Sequence, residues 1–184
     1  MLINGTEAQV KQVLDALKSD KSDVDFNRII PVPESLTDAI CGSLTDAICG
    51  SPLSIEQTTL QKENIQKYGY PTWYEFCINK WGCKWNASEV NVHGNIMEFK
   101  TPWSMPDGIA EKLSEIFPEV TLEWMYADEN TGYNVGEEHY KAGDVVLSID
   151  VEEGSREAYV LAFELWPEYR EYYMLVDGEY EPKG

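Results

Sequence analysis

The alternation of apolar and polar positions divides the chain into a short series of elements. Met1–Asn4 is apolar enough for a short first strand. Thr6 and Gln9 have the spacing of a capping box. Val10, Val13, Leu14 and Leu17 follow at i, i+3, i+4 and i+7, which predicts an amphipathic helix over residues 7–18. Val24–Ile30 reads as a second strand, stopped by Pro31 and Pro33. Ser54 and Gln57 repeat the capping spacing before a polar helix over 55–67. Pro71, taken as a first helical position, opens a further helix running to Trp81 and closed by Gly82. The apolar stripe of that helix is Trp73, Cys77 and Trp81, with Tyr74 and Ile78 beside it.

Strand patterns dominate the second half. Residues 89–92 and 95–101 flank His93-Gly94, a hairpin turn. Ser104 and Asp107 predict a capped helix with Pro106 in its first turn, burying Ile109, Leu113, Ile116 and Phe117 and stopped by Pro118. Val120, Leu122, Trp124 and Tyr126 alternate with Thr121, Glu123, Met125 and Ala127, the period of a half-buried strand. Residues 132–140 and 144–151 predict two more strands, turning at Ala142-Gly143-Asp144. Ser155 predicts a cap for a helix through Trp166, ended by Pro167. Residues 172–176 read as a last strand or an extended tail.

One segment breaks the pattern. Residues 35–42 read SLTDAICG, and residues 43–50 read SLTDAICG again. Eight residues are too few for a solenoid unit, so the repeat is read as a local duplication in a tolerant surface segment. Each copy has helical spacing in its apolar residues, with Gly42 and Gly50 as stops. Together the elements predict an α+β fold. It is an elaborated ferredoxin-like sandwich whose mainly antiparallel sheet carries helices on one face, with a helical insertion at 34–82. One domain is expected over 1–167, followed by a C-terminal extension at 168–184. The sheet's other face is expected to be open or partly covered, and so a docking surface.

Charge changes this picture more than composition does. The 184 residues include 33 acidic and 14 basic side chains, net −19. Residues 93–184 hold 21 of the acids and only six of the bases. Such a field repels nucleic acid and anionic membranes and draws a basic protein surface. No apolar run is long enough to span a membrane, and Met1–Gly5 lacks the basic-then-apolar pattern of a secretory signal. Four cysteines at this length predict reduced thiols and a cytoplasmic setting.

The run Trp73-Tyr74-Glu75-Phe76-Cys77-Ile78-Asn79-Lys80-Trp81-Gly82-Cys83-Lys84-Trp85-Asn86-Ala87 resembles the central signature of the YubB-like family. These are ferredoxin-like proteins of enterobacterial plasmids and phages, in which the motif usually reads Trp-Gly-Thr-Lys-Trp-Asn. Asp25–Pro33 is similar to that family's second strand and its Pro-x-Pro exit, and Phe99–Pro106 to its strand-to-helix junction. The resemblance extends over roughly residues 1–150. Cys83 replaces the usual Thr, and the duplicated octapeptide is an addition. The resemblance implies a ferredoxin-like fold and a mobile-element origin, and it carries no catalytic residues to transfer.

Conventional chemistry is sparse. There is no Gly-x-Gly-x-x-Gly, no phosphate-binding Gly-Lys loop and no Cys-x-x-Cys, and the two histidines, His93 and His139, are far apart and read as ordinary surface residues. Cys77 is read as a buried helix residue, and the indoles of Trp81 and Trp85 as packing where the insertion meets the sheet, with Gly82 turning the chain. No cofactor and no metal are expected. The leading expectation is a non-enzymatic accessory protein that binds a basic partner protein. Glu123, Asp128, Glu129, Glu137, Glu138, Asp150, Glu152 and Glu153 are its contact carboxylates, interspersed tyrosines supply contact area, and the whole imitates the charge of a nucleic-acid backbone. The alternative is a hydrolase or nucleotide-binding protein whose clustered carboxylates hold Mg²⁺. Self-association is a third reading.

Overall fold

The structure, a computed structural model, describes residues 1–41 and 53–183. Six antiparallel strands form one sheet in the order β2-β3-β1-β4-β5-β6. They are β1 (Leu2–Asn4), β2 (Ser88–His93), β3 (Ile96–Lys100), β4 (Thr121–Tyr126), β5 (Gly136–Lys141) and β6 (Asp144–Asp150). The helices are α1 (Glu7–Leu17), α2 (Glu34–Asp38), α3 (Ile55–Tyr68), α4 (Trp73–Lys80), α5 (Asp107–Ile116) and α6 (Arg156–Leu165). Strands β1 to β4 with α1 and α5 make the split β-α-β-β-α-β arrangement, so the fold is ferredoxin-like and α+β. Strands β5 and β6 extend the sheet beyond β4. Among the described residues no helix is long and apolar enough to cross a membrane.

The second strand is not where the pattern put it. Val24–Ile30 forms a 3-10 turn at Phe26–Arg28, and the strand that follows α1 in the sheet is β2. Val24 and Phe26 are both buried, which gives the segment its strand-like period. Its backbone is satisfied by local turns and side chains instead of a ladder: Arg28 N donates to Asp25 O, and Ile29 N and Ile30 N donate to Phe26 O. The Asp25 carboxylate accepts from Asn27 N at 3.0 Å, and Asn86 Oδ1 accepts from Phe26 N at 2.8 Å. Burial works to raise the Asp25 pKa, but hydrogen bonds from Asn86, Ser19 and Asn27 outweigh it and hold the carboxyl below its usual range. The connection from α1 to β2 therefore runs over 18–87, and the helical stretch expected at 34–82 lies inside it.

That connection is tied into the core by a file of aromatic rings. Phe26 meets Trp81 edge-on at 5.7 Å and Phe99 at 6.0 Å, and Phe99 meets Trp124 at 5.8 Å. Trp81 Nε1 donates to Ile30 O at 2.8 Å. The file thus crosses from the connection to β3 and β4 beneath one face of the sheet. Ile3, Met97 and Leu122 lie on that covered face, packed with Val13 and Leu17 of α1 and Ile109 and Leu113 of α5.

Several local details differ from the pattern. Helix α4 begins at Trp73 with Thr72 as its cap, so Pro71 stands before the helix rather than in its first position. Phe76 and Cys77 are its buried residues, while Tyr74 and Ile78 are exposed. Ser104 does not cap α5; its hydroxyl donates to Gly82 O at 2.5 Å. Helix α5 buries Ala110 and Ser114 beside Ile109 and Leu113, and leaves Ile116 exposed. Ser114 is useful there: its Oγ accepts from Gly143 N at 2.9 Å and pins the β5–β6 turn to α5.

The first octapeptide copy begins in α2, with Leu36 buried, while its Gly42 stop and the second copy lie outside the described residues. Beyond α6 the chain is built: β7 (Tyr173–Val176) and β8 (Glu179–Pro182) pair as a hairpin. Tyr173 and Tyr180 pack on Tyr159 and Phe163 of α6 at ring separations of 5.0 to 5.8 Å.

Candidate functional site

The register of β4 against β5 decides which carboxylates meet. Glu123 pairs with His139, and Glu137 lies two residues along β5, on the same face. That face is the one opposite the helical core, and it also carries Leu147 and Ile149 of β6, both exposed. Side-chain ligand atoms of Glu123, Glu137 and His139 all lie within 4.8 Å of one another. His139 Nε2 is 2.5 Å from Glu137 Oε1, and Asn4 on β1 donates its amide to Glu123 Oε1. All three residues are half-buried on the strand surface. Two carboxylates and one imidazole converging from adjacent strands are a donor set suited to a divalent cation with sites left open to water. It is the single such group among the described residues.

The eight expected contact carboxylates do not form one patch. Glu123 and Glu137 come together on the open face. Glu138 alternates to the covered face, where it accepts from the Tyr140 hydroxyl. Burial, then the Glu138 carboxylate, pushes the Tyr140 phenol well above its usual range. Asp128 and Glu129 sit in the loop after β4, and Asp128 Oδ1 accepts from Asn130 N at 2.8 Å to shape it. Asp150 ends β6, and Glu152 and Glu153 stand exposed in the turn before α6. Sequence reasoning passed over His139. The signal was present: Glu137-x-His139 on a strand puts both side chains on one face.

The remaining candidates resolve individually. Trp81 is buried as expected, with Gly82 turning the chain at φ +86°, but Trp85 is exposed. Lys84 Nζ lies over the Trp85 ring at 4.2 Å. Cys77 and Cys83 are buried, and that burial pushes both thiols up to about 12, which leaves them protonated and unreactive at neutral pH.

A family model described as a ferredoxin-like domain in Api92-like protein matches residues 80–168. The match runs from the end of α4 through α6, just under half of the chain, and leaves β1 and α1 outside. The chain is similar to that family over this stretch, in agreement with the sheet topology. No curated protein and no solved structure matches the chain.

Proposed function

We propose that the chain is a non-enzymatic interaction protein that presents an acidic surface to a basic protein partner. The observation that carries the reading is the charge of residues 93–184, 21 acids against six bases, borne largely on the strands, turns and two helices from β3 to α6. Asp150, Glu152 and Glu153 are exposed and make no ion pair among the described residues, so their charge is presented to solvent. A phage or plasmid origin, with a nucleic-acid-handling or defence complex of the host as target, follows the sequence resemblance and the logic of nucleic-acid mimicry.

Replacing Glu129, Asp150, Glu152 and Glu153 together by Lys tests it. Glu123, Glu137 and Glu138 are left out because Asn4, His139 and Tyr140 bond to them. The wild-type chain is expected to capture a stoichiometric basic protein from host lysate at low salt. At 1 M salt, where the screening length falls to about 3 Å, the capture is lost. The reversed variant is expected to keep its melting temperature and lose the capture at every salt concentration. Equal capture by both proteins would sink the reading.

The convergence of Glu123, Glu137 and His139 favours a second reading, a divalent-metal site of the kind that supports phosphoryl chemistry. Titration with Mg²⁺, Mn²⁺ and Zn²⁺ separates the two. A metal at 100 times its dissociation constant stabilises the fold by about 2.7 kcal/mol, a rise in Tm of roughly 5–10 °C for a domain of this size. His139→Ala is expected to erase the rise. A flat response to all three ions removes this reading.

A further inference from the structure

A cavity of about 580 Å³ opens between the end of β4, the loop over residues 101–106 and the C-terminal end of α6. That volume falls within the range of small-ligand pockets, about 300–1,000 Å³. Its wall is aromatic, with Trp103, Trp124, Tyr126 and Trp166 all lining it.

Three observations distinguish it from a packing gap. Trp124 is only 4% exposed, and its indole N–H is buried without a hydrogen-bond partner among the described residues. An indole donates and cannot accept, so whatever completes it brings an acceptor. Trp103 stands at the mouth, 67% exposed, with a left-handed backbone at φ +68° that bulky side chains rarely adopt. Asn134 Nδ2 donates to the Trp103 carbonyl at 3.0 Å and helps hold it there.

The third observation is charge. Asp128, Glu129 and Glu164 line the cavity. Lys100 is the one Lys or Arg in its wall, and it is paired to Glu89 at 2.5 Å. The chain's own lysines already rest on the outer rings, Lys84 over Trp103 at 5.1 Å and Lys100 over Trp166 at 5.5 Å, the contact that indole faces make with cations.

A ligand that suits this wall is flat, cationic and supplied with a carbonyl. We propose that the cavity receives an arginine residue of an extended segment of the partner. Its guanidinium lies against the indoles and pairs with Asp128, Glu129 or Glu164, while a main-chain carbonyl of the segment accepts from Trp124 Nε1. Arginine fits better than lysine because its planar guanidinium both stacks on rings and pairs with a carboxylate in a bidentate fork. The proposal rests on the acidic-docking reading and names the side chain that the partner brings.

The test follows the indole N–H resonances of the ¹⁵N-labelled full chain, with that of Trp124 assigned through Trp124→Phe. The probes are the acetylated, amidated pentapeptide Gly-Ala-Arg-Ala-Gly and its lysine and citrulline counterparts. The arginine peptide is expected to shift the Trp124 resonance saturably and to bind at least about tenfold more tightly than the citrulline peptide. The combined Asp128→Asn, Glu129→Gln, Glu164→Gln variant is expected to remove that preference. Absence of a shift, equal binding of arginine and citrulline peptides, or a saturable shift with AMP instead would each overturn the proposal. If the arginine peptide fails while the charge-reversed chain still loses its lysate partner, the cavity proposal falls and acidic docking stands. If the peptide binds and charge reversal changes nothing, the docking reading falls.

Discussion

Phe26→Ala is expected to cost about 3–5 kcal/mol of unfolding free energy, within the range for a fully buried aromatic side chain cut back to Ala. Phe26 has no solvent exposure and touches Trp81 on one side and Phe99 on the other. Removing it takes away two edge-on aromatic contacts as well as buried area, and it opens a void at the point where the 18–87 connection joins the sheet. The rings that remain are fixed from elsewhere: the Trp81 indole by its bond to Ile30 O, and Phe99 by its place on β3. They are poorly placed to collapse into the gap, which favours the upper part of that range. Urea denaturation followed by tryptophan fluorescence gives the number, and Tm should fall by roughly 10 °C or more. Trp85→Ala, at an exposed indole only a few residues from Trp81, is the internal control and should change stability little. A loss below about 1 kcal/mol for Phe26→Ala would show that the connection is hung on the sheet instead of built into its core.

The same residue shows what a sequence pattern conveys and what it omits. Burial of Val24 and Phe26 at every second position is real, so the period was read correctly. What it could not reveal is that Asn86, sixty residues further on, would accept from Phe26 N while Arg28, Ile29 and Ile30 close local turns, leaving no ladder. Caps were legible because they are local. The Thr6, Ser54 and Ser155 side chains each accept from the backbone N–H three residues on. Ser104 had the same local signature, yet its hydroxyl is taken by Gly82 O, a contact 22 residues apart in the chain. Alternation along β4 was legible because one face is buried and the other is not. The candidate site depended on register, and register is a long-range property. Glu123 meets His139 only because β4 pairs with β5 at that offset, and it meets Asn4 only because β1 lies on its other side. A list of carboxylates therefore contained Glu123 and Glu137 but scattered the other six over the covered face, a loop and a turn. The orphan indole of Trp124 was invisible for the same reason, since an unmet donor is defined by every neighbour around it.

Gly108→Ala and Gly82→Ala are expected to be strongly destabilising, and their costs should not add. Helix α5 starts against the end of α4 with no room for a side chain between them. A Cβ on Gly108 would lie 2.2 Å from the Lys80 carbonyl oxygen and 2.9 Å from its carbon, both backbone atoms that no rotamer change can move. Overpacking of that kind costs about 1–3 kcal/mol. Gly82 holds φ +86°, which an alanine adopts only under strain of about 1–3 kcal/mol. Its Cβ would also fall 1.8 Å from Asp107 Oδ1 and 2.8 Å from Asp107 N. The carboxylate can swing aside, but the backbone nitrogen cannot. Both clashes lie at one junction and are relieved by one movement, the withdrawal of the start of α5 from the end of α4. Once the first alanine has forced that movement, the second meets a gap already opened and adds mainly its backbone strain. The double variant is therefore expected to cost less than the sum of the singles by about 1 kcal/mol or more, a coupling readable from three urea melts against wild type. Additivity within about 0.5 kcal/mol would mean that the two glycines answer separate constraints, and that α4 and α5 do not move as a unit at this junction.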